Sequence, residues 1–367
     1  MNNTACSLKG VYQVFLLNQS KATSCCRATP TSINHTTLAE LTNTWQHESQ
    51  LLAQGQKLPG CQVCWDKENQ GITSYRQQHS LAQDTHIEID LSNLCNHMCA
   101  YCSPKFSSKW QQSIQQYGEF VNVSKTAKHN LAIVEQNTDY SSWLSQIETH
   151  VAGHPPDSVV LNLIGGEPLM QYHSLGNAVN MMMPAVKQLV ITTNLNPPNS
   201  KFLDQLLDTW PVEKLAFNIS IDAIPEFNHV PRSGFDQQRF ENNLNKLISR
   251  GITYRFLCTV SILNVFDLPS FLCWQSTDLV WQQLNNPSCL DINIMPDQYR
   301  ATLLDSLLDI EPLWIREALV QPVEAIDLKL QEQYNYLTQY FSRTNITVPN
   351  NMKFAQYWAW LQQRFSK

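Results

Sequence analysis

The sequence is poor in charged residues and has no long apolar run. Asp, Glu, Lys and Arg make up 15% of the chain and leave a formal net charge of −6, which argues against wholesale binding to a nucleic-acid backbone. No apolar stretch is long enough to span a bilayer, and the first residues lack the charged segment, apolar core and cleavage site of a secretion signal. We therefore expect a cytoplasmic protein that binds neither nucleic acid nor membranes.

Aromatic and aliphatic residues are well represented, so a chain of 367 residues can bury a sizeable core. Length and composition fit an enzyme with one large domain and a smaller appendage. The chain also has 11 cysteines, and the reducing cytosol disfavours disulfides. Cysteines in this setting are better interpreted as metal ligands.

Three of these cysteines form a Cys-x3-Cys-x2-Cys motif at Cys95, Cys99 and Cys102, directly after an alternating apolar run over 87–91. Three soft thiolates on one short loop suit an iron–sulfur cluster, and three ligands leave one iron of a four-iron cube without a protein ligand. That iron can bind a substrate or cofactor. The alternatives are a zinc site with His97 as the fourth ligand and three unrelated buried thiols.

Six apolar runs separated by helical patterns predict alternating strands and helices. Helix-like patterns, such as those at 141–147 and 240–248, lie between the runs, which predicts βα units and a parallel sheet. In parallel barrels, ligands bind at the carboxyl ends of the strands. The six candidate strands are 87–91, 158–164, 188–193, 215–221, 254–262 and 291–295.

Polar motifs follow several of these candidate strands. The motif Gly-Gly-Glu-Pro at 165–168 follows the second strand, where glycines let a backbone approach a ligand closely and the glutamate offers a carboxylate to an ammonium group. A tight turn without function is the alternative. Hydroxyl, amide and carboxylate groups end the third and fourth strands at 192–194 and 220–222. In the fifth strand, Thr259 and Ser261 share one face.

The cysteine spacing, with an aromatic residue directly before the third cysteine, and the Gly-Gly-Glu-Pro motif resemble those of radical S-adenosylmethionine (radical SAM) enzymes. The resemblance covers about 85–296. It implies an α/β fold with a partial (β/α)6 TIM-like barrel, a [4Fe-4S] cluster on the three loop cysteines, and bound SAM. It also implies an oxidoreductase or transferase-type reaction, in which an electron donor such as flavodoxin or ferredoxin drives cleavage of SAM to a 5′-deoxyadenosyl radical. That radical removes a hydrogen atom from the substrate.

The same resemblance implies a set of SAM contacts. Gly166 and Glu167 would hold the amino group of the SAM methionine, and Arg232 would pair with its carboxylate, because a guanidinium fork matches that group. A surface arginine is the alternative for Arg232, and Ala223 stands where glycine is usual in the family. Apolar side chains at the end of the sixth strand would pack on the adenine. The full set is Gly165, Gly166, Glu167, Thr193, Asn194, Ser220, Asp222, Arg232, Thr259, Ser261 and Met295.

A second group of cysteines precedes the barrel. An apolar run over 11–17 predicts a hairpin strand, although its turn at 18–21 lacks the usual Asp-Gly. The layout resembles the twitch domain, a shorter relative of the SPASM domain, which holds an auxiliary iron–sulfur cluster. A structural zinc ion is the alternative. The implied ligands are Cys6, Cys25, Cys61 and Cys64, with Cys26 as the substitute for Cys25.

These expectations divide the chain into a twitch domain at 1–84, a radical SAM barrel at 85–298 and a C-terminal helical extension at 299–367. The extension would close the open side of the barrel or bind substrate. Relatives with a twitch domain often modify peptides or protein side chains, so such a substrate is expected. A sugar or nucleotide substrate is the alternative, and a non-catalytic zinc scaffold is a third interpretation. No side chain is assigned as catalytic acid or base. The cysteines expected to be buried structural thiols are Cys258, Cys273 and Cys289.

Overall fold

The computed structural model describes residues 4–78, 84–275, 278–284, 286–307, 313–321 and 323–366. Within these residues, the strands are β1 (Tyr12–Leu16), β2 (Lys21–Thr23), β3 (Thr31–Ser32), β4 (Thr85–Asp90), β5 (Met98–Cys99), β6 (Val159–Ile164), β7 (Val186–Thr193), β8 (Leu215–Ser220), β9 (Arg232–Ser233), β10 (Thr253–Val260) and β11 (Leu279–Gln283). The helices are α1 (Leu8–Val11), α2 (Leu38–Ala53), α3 (Gln62–Asn69), α4 (Tyr75–Gln78), α5 (Ser108–Tyr117), α6 (Lys125–Asn130), α7 (Ser141–Ala152), α8 (Tyr172–Met182), α9 (Lys201–Thr209), α10 (Gln237–Ser249), α11 (Leu268–Trp274), α12 (Asp297–Ser306), α13 (Trp314–Val320), α14 (Ile326–Thr344) and α15 (Phe354–Phe365).

The chain falls into two compact units. Unit 1 consists of 1–93, 135–192 and 199–217, and unit 2 consists of 94–134, 193–198 and 218–367. The predicted boundaries after residues 84 and 298 do not coincide with the limits of these units, because β1 pairs with β4 along its whole length. The division into three domains stays a prediction.

The sheet of unit 1 joins the N-terminal strands to the strands of the predicted barrel. Its strand order is β7-β6-β4-β1-β2-β3. The pairs β1–β4, β4–β6 and β6–β7 are parallel, whereas β1–β2 and β2–β3 are antiparallel. The α/β class with a large parallel sheet is thereby confirmed. The predicted hairpin is present as β1 and β2, and Ser20 supplies the left-handed backbone (φ 50°) that a glycine would supply in an Asp-Gly turn.

The two faces of this sheet differ in polarity. Successive residues of a strand point to opposite faces. Ile87 and Ile89 of β4 and Leu161 and Leu163 of β6 lie on one face and are fully buried. The opposite face carries Glu88 in β4, with Asn162 of β6 beside it on one side and Val14 of β1 on the other. The apolar face contributes to the core of unit 1, and the opposite face carries the polar pair Glu88 and Asn162.

Helix α2 of unit 1 begins with a capping box. The Thr37 hydroxyl accepts a hydrogen bond from the backbone N–H of Glu40, and the Glu40 carboxylate accepts one from the backbone N–H of Thr37 at 2.7 Å. One face of the helix is apolar, and its Trp45 packs against Phe15 of β1 with ring centroids 6.0 Å apart. Cap and apolar face together fix the helix on the N-terminal strand.

Unit 2 corrects the sixth predicted strand. The strand after β10 is β11, which pairs with it in parallel, and 291–295 forms turns. The Asp291 carboxylate accepts a hydrogen bond from the backbone N–H of Asn293 at 3.0 Å, which closes a local turn. The Arg300 guanidinium donates to the backbone carbonyls of Asn293 and Met295. Because side chains satisfy these backbone groups, the segment does not pair as a strand.

The C-terminal part of unit 2 is helical, as the sequence predicts, and consists of α12 to α15. Helix α14 buries Tyr336, Leu337 and Tyr340 along one side. No helix in the described part of the chain is both long and apolar enough to cross a membrane.

Candidate functional site

The cysteine loop of unit 2 is held by pairing with β9. Strand β5 contains Cys99, which lies opposite Arg232 in the antiparallel pair β5–β9. Cys95 and Cys99 are buried, and Cys102 is partly buried. The backbone N–H of Cys95 donates to the Ser108 hydroxyl at 3.1 Å, at the start of α5. The loop is therefore fixed at both ends, although its cysteines are only three and four residues apart.

Three aromatic side chains bind three consecutive carbonyls of this loop. Tyr340 donates to the carbonyl of Met98 at 3.0 Å, Trp110 to that of Cys99 at 2.9 Å, and Tyr336 to that of Ala100 at 2.7 Å. All three donors are fully buried. Buried carbonyls without a partner are costly, so these bonds stabilise one loop conformation. We call Trp110, Tyr336 and Tyr340 the aromatic clamp.

Sequence reasoning missed the aromatic clamp. The two tyrosines lie four residues apart on one side of α14, a spacing that predicts only a buried helix face. The carbonyls that their hydroxyl groups bind belong to Met98 and Ala100, more than 230 residues away along the chain. The C-terminal extension thus supports the cysteine loop, a role that no local motif indicates.

Asp222 and Arg232 form a buried ion pair beside Cys99. Two guanidinium nitrogens of Arg232 lie 2.8 and 3.2 Å from the two carboxylate oxygens of Asp222. The third guanidinium nitrogen donates to the Cys99 sulfur at 3.8 Å. Tyr101 donates to Asp222 at 2.5 Å, and burial keeps the pKa of this phenol well above its ordinary value. Arg232 is therefore buried and not a surface arginine, and its guanidinium contacts Asp222 and Cys99.

Burial also raises the pKa values of two loop thiols. The pKa of Cys99 rises to about 11, with desolvation opposed in part by the positive charge of Arg232. The pKa of Cys102 rises to about 12 through desolvation and the neighbouring Cys99. Metal binding at this loop has to release these protons. His97, the fourth ligand of the zinc alternative, is buried against Phe235, and desolvation lowers its pKa to about 3.

Asn194, like Arg232, is a predicted SAM contact that touches the cysteine loop directly. Its side-chain amide donates to the side-chain oxygen of Asn96 at 3.0 Å and reaches the Cys95 sulfur at 4.0 Å. Thr193 accepts a hydrogen bond from the backbone N–H of Leu195 at 2.8 Å, which shapes the turn after β7. This turn and the loop therefore belong to one hydrogen-bonded network in unit 2.

The other predicted SAM contacts of unit 2 differ in their surroundings. The backbone N–H of Thr259 donates to the Asp222 carboxylate at 2.9 Å, which ties β10 to the ion pair. The Ser261 hydroxyl accepts from the backbone N–H of Leu263 at 3.3 Å, in a local turn. Ser220 ends β8 and is partly buried, whereas Met295 is buried in the turns that replace the predicted sixth strand. The structure brings Asp222, Arg232 and Thr259 together. Ser220 and Met295 lie outside that group of contacts.

In unit 1, the Gly-Gly-Glu-Pro motif forms a tight turn at the end of β6. Gly165 and Gly166 have φ values of 77° and 44°, which other residues rarely adopt. A Cβ atom at Gly165 would lie 1.8 Å from the Asp90 carboxylate, so no side chain fits there. Glu167 is fully buried and accepts a hydrogen bond from the backbone N–H of Leu169 at 2.9 Å. The motif places a buried carboxylate next to two glycines with positive φ, and the Asp90 side chain packs closely on the first of them.

The four leading cysteines line one cavity in unit 1. Burial raises the pKa of Cys61, and the nearby thiols of Cys6 and Cys64 add to this shift. Cys26 is exposed, whereas its neighbour Cys25 is buried. The thiols that line the cavity are Cys6, Cys25, Cys61 and Cys64.

Three cationic side chains line the same cavity, namely Lys9, Arg27 and Arg76. Lys9 pairs with Glu48 at 2.7 Å. Arg76 donates to Glu68 at 2.7 Å and to the carbonyl of Ala5 at 2.9 Å, and its guanidinium lies 4.6 Å from the centre of the Trp65 ring. These contacts hold positive charge at the thiols. The sequence contained no signal for this lining, because the cations come from three separate segments.

A row of polar side chains crosses the polar face of the unit 1 sheet. Glu88 of β4 accepts hydrogen bonds from the Tyr12 hydroxyl at 2.7 Å and from the Asn162 side chain at 3.0 Å. Thr192 donates to Asn162 at 3.3 Å. Burial, followed by the negative charge of Glu88, raises the pKa of Tyr12, so the phenol stays a neutral donor. The row can bind a cation or a hydrogen-bond donor, and sequence reasoning missed Tyr12, Glu88 and Asn162.

Neither cysteine group has the geometry of a preformed single-ion site. Among the residues that the structure describes, no three His, Cys, Asp or Glu side chains converge closely enough to coordinate one metal ion. In an iron–sulfur cluster each thiolate binds a different iron, so the ligands lie further apart than around one ion.

Known proteins resemble this chain only distantly. No family model matches the sequence, and no curated protein matches it. Among solved structures, native anSMEcpe with bound AdoMet matches with 14% identity and a TM-score of 0.38, over 60% of this chain and 61% of that one. Streptococcus suis SuiB bound to S-adenosylmethionine matches with 13% identity and a TM-score of 0.39, over 76% and 60%.

SuiB has also been solved with its precursor peptide SuiA, and that structure matches with 14% identity and a TM-score of 0.36, over 87% of this chain and 56% of that one. SuiB and anSME are radical SAM enzymes of the SPASM/twitch type. This chain is similar to them. The matches span about three fifths of the length of these structures. At this degree of similarity, the function has to be inferred from the chain's own residues.

Proposed function

We propose that this chain is a radical SAM enzyme that binds a [4Fe-4S] cluster through Cys95, Cys99 and Cys102. When bound, cluster and SAM supply the chemistry, namely reductive cleavage of SAM to methionine and a 5′-deoxyadenosyl radical that takes a hydrogen atom from the substrate. The observation that carries the proposal is a buried three-cysteine loop whose backbone is fixed by the aromatic clamp.

The residues of the loop fit such a cluster. Thiolates are its usual ligands, and three of them leave one iron for SAM. The carbonyls of 98–100 are hydrogen-bonded within the protein, so they do not compete for the metal. Arg232 and Asn194 place donors at the sulfurs of Cys99 and Cys95. Donors of this kind orient ligands and favour the thiolate form.

In unit 1, we infer that Gly165, Gly166 and Glu167 bind the methionine part of SAM. The two glycines give the turn the positive φ angles that set Glu167 at the end of β6, and the Asp90 side chain packs closely on Gly165. The Glu167 carboxylate would pair with the SAM amino group, a charge-assisted contact that gains strength from burial. The other predicted contacts stay predictions, namely Thr193, Asn194, Ser220, Asp222, Arg232, Thr259, Ser261 and Met295.

We further infer that Cys6, Cys25, Cys61 and Cys64 hold an auxiliary iron–sulfur cluster. The four thiols share one cavity, and the cationic lining offsets the negative charge that four thiolates bring to a metal centre. Cys25 is favoured over Cys26 because it lines the cavity. A structural zinc ion is the competing occupant of this cavity, and iron, sulfide and zinc analysis distinguishes the two.

The substrate that we propose is a peptide or protein side chain. SuiB has been solved with its precursor peptide, and anSMEcpe with the Kp18Cys peptide. For this chain, a peptide stays a proposal, and a sugar or nucleotide is the alternative. A one-electron donor such as flavodoxin or ferredoxin is a required partner of the proposed reaction, and the cytoplasmic location stays a prediction.

The decisive experiment measures SAM cleavage by anaerobically reconstituted protein under a chemical reductant. We expect 5′-deoxyadenosine and methionine from the wild type and none from the Cys95→Ala/Cys99→Ala/Cys102→Ala variant, because the variant has no ligands for the cluster. Cys273 is exposed, so the expectation of a buried thiol was wrong for this cysteine. The Cys273→Ala variant removes a thiol outside the loop and should cleave SAM like the wild type. Formation of 5′-deoxyadenosine by the triple variant above the protein-free level would refute the proposal.

A second experiment tests the carboxylate of the Gly-Gly-Glu-Pro turn. Glu167→Gln keeps the shape and removes the charge, so SAM affinity should fall by about tenfold to a hundredfold, as expected for the loss of a buried charge-assisted hydrogen bond. Iron content should not change, because the carboxylate is not proposed as a metal ligand. Isothermal titration with SAM measures the effect, and an unchanged dissociation constant would remove Glu167 from the site.

A further inference from the structure

In the proposed function Arg232 acts only as a donor to the Cys99 sulfur, and its buried partner Asp222 has no assigned role there. Arg232 uses two guanidinium nitrogens for the Asp222 carboxylate, at 2.8 and 3.2 Å, and the third for the Cys99 sulfur, at 3.8 Å. Asp222 is fully buried, and Arg232 is 6% exposed. A guanidinium remains charged at any physiological pH, so a fixed positive charge lies on a cluster ligand.

The surrounding chain holds this arrangement firmly. Pairing of β5 with β9 sets Cys99 opposite Arg232. The Asp222 carboxylate also accepts hydrogen bonds from the backbone N–H of Thr259 at 2.9 Å and from the Tyr101 hydroxyl at 2.5 Å. The backbone N–H of Asp222 donates to the side chain of Asn228 at 2.9 Å. The guanidinium therefore has little freedom to leave the sulfur.

We propose that Arg232 is a positioning residue that sets the reduction potential of the cluster bound by Cys99, with Asp222 as its counter-charge. This inference rests on the proposed function. Hydrogen bonds to the sulfurs and nearby charge are known determinants of iron–sulfur potentials. A positive charge and an N–H···S bond stabilise the reduced cluster, which carries one more electron. Asp222 opposes that effect, so the pair determines how easily the cluster accepts its electron.

The electron balance is simple. One electron passes from an external low-potential one-electron donor to the cluster, and no bond to Arg232 or Asp222 forms or breaks. The inference differs from the sequence-based expectation, in which Arg232 pairs with the SAM carboxylate. In the structure, Asp222 already occupies the carboxylate-binding edge of that guanidinium.

The test is a potentiometric titration of full-length reconstituted protein, monitored by electron paramagnetic resonance of the SAM-responsive cluster. Arg232→Gln should shift the midpoint to more negative potential, with the oxidised-to-reduced ratio at fixed potential changing by about tenfold, or about 59 mV for one electron. Asp222→Asn should shift it in the opposite direction, because the positive charge loses its counter-charge. Arg232→Lys should give a smaller negative shift, since lysine keeps the charge and loses the fork.

A structural role alone would not produce shifts of opposite sign. The control is Arg364→Gln, the same charge change at an exposed ion pair on α15, which should leave the potential unmoved. Unchanged potentials together with a large loss of SAM affinity in Arg232→Gln would overturn the inference and return Arg232 to the SAM carboxylate. Loss of the cluster from all three variants would also overturn it, because the pair would then be a structural support. Absence of any cluster in the wild type would instead contradict the proposed function.

Discussion

The two groups of cysteines differ in how the chain brings their thiols together. The loop of unit 2 takes its three cysteines from eight consecutive residues, and the aromatic clamp fixes the backbone between them. The leading group of unit 1 takes four cysteines from residues 6 to 64, so only the fold makes them neighbours. A local motif can therefore be recognised from spacing, whereas a site assembled from distant segments needs the structure.

The charges around the two groups differ as well. In unit 2, one arginine reaches a sulfur and is paired with a fully buried aspartate. In unit 1, three cations line the thiol cavity, and their carboxylate partners Glu48 and Glu68 are partly exposed. Water screens exposed carboxylates more than buried ones, so the leading site keeps more net positive charge. We expect the two sites to respond differently to the same changes.

The largest expected difference concerns metal content. In the Cys95→Ala/Cys99→Ala/Cys102→Ala variant, the leading cavity is intact, so we expect the protein to keep about half of its iron and sulfide. Cys61→Ala/Cys64→Ala should lose the other half and also lower the melting temperature, because metal binding stabilises the segments that supply its ligands.

Iron, sulfide and zinc analysis of both variants decides the comparison, with Cys289→Ala as a control that removes a buried thiol outside both groups. Stoichiometric zinc without iron in the loop variant would make the leading group a structural zinc site. No metal at all in that variant would mean that the resemblance to a twitch domain misled us.

The same contrast explains what could be predicted from the sequence. The first five candidate strands match β4, β6, β7, β8 and β10 to within a few residues, because each is a buried apolar run with polar residues at its end. The sixth was wrong, since its alternation at 291–295 resembles a strand while the Arg300 side chain, five residues after the run, binds the carbonyls of Asn293 and Met295. A hydrogen bond from a side chain outside the run to its backbone carbonyls leaves no periodic signal in the sequence.

Contacts between segments that are far apart in the chain could not be predicted from the sequence either. A guanidinium fork matches any carboxylate, so the sequence could not decide between Asp222 and SAM as the partner of Arg232. The role of α14 depends on hydroxyl groups of Tyr336 and Tyr340 that reach across the chain. Glu88 was overlooked for a similar reason, because its donors lie on neighbouring strands.

The aromatic clamp should affect only the loop of unit 2. Tyr336→Phe leaves the buried carbonyl of Ala100 without its hydroxyl donor, which should lower the free energy of unfolding by about 1–3 kcal/mol. The variant should also hold less iron at the loop while the leading site stays occupied. The matched control is Tyr334→Phe on the same helix, whose hydroxyl bonds Ser366 at the surface and should contribute less than about 0.5 kcal/mol.

Denaturant unfolding and iron analysis measure both effects. Equal destabilisation by Tyr336→Phe and Tyr334→Phe would show that the hydroxyl bond to the loop is not important. Equal loss of iron from both cysteine groups would show that the clamp supports the whole protein rather than the loop.

The smallest expected effect concerns the cationic lining of the leading cavity. The Arg27 side chain is exposed, while its backbone N–H donates to the Cys25 sulfur at 3.4 Å. Arg27→Gln removes one positive charge without removing that backbone bond. An exposed charge contributes about 0.4–1 kcal/mol, so metal release to a chelator should become about two- to fivefold faster at low salt, and the difference should shrink at high salt.

Lys57→Gln, which removes an exposed cation beside Trp65, is the matched control. If both substitutions accelerate release equally, general surface charge rather than the lining of the cavity controls metal retention, and the electrostatic contrast between the two cysteine groups no longer holds.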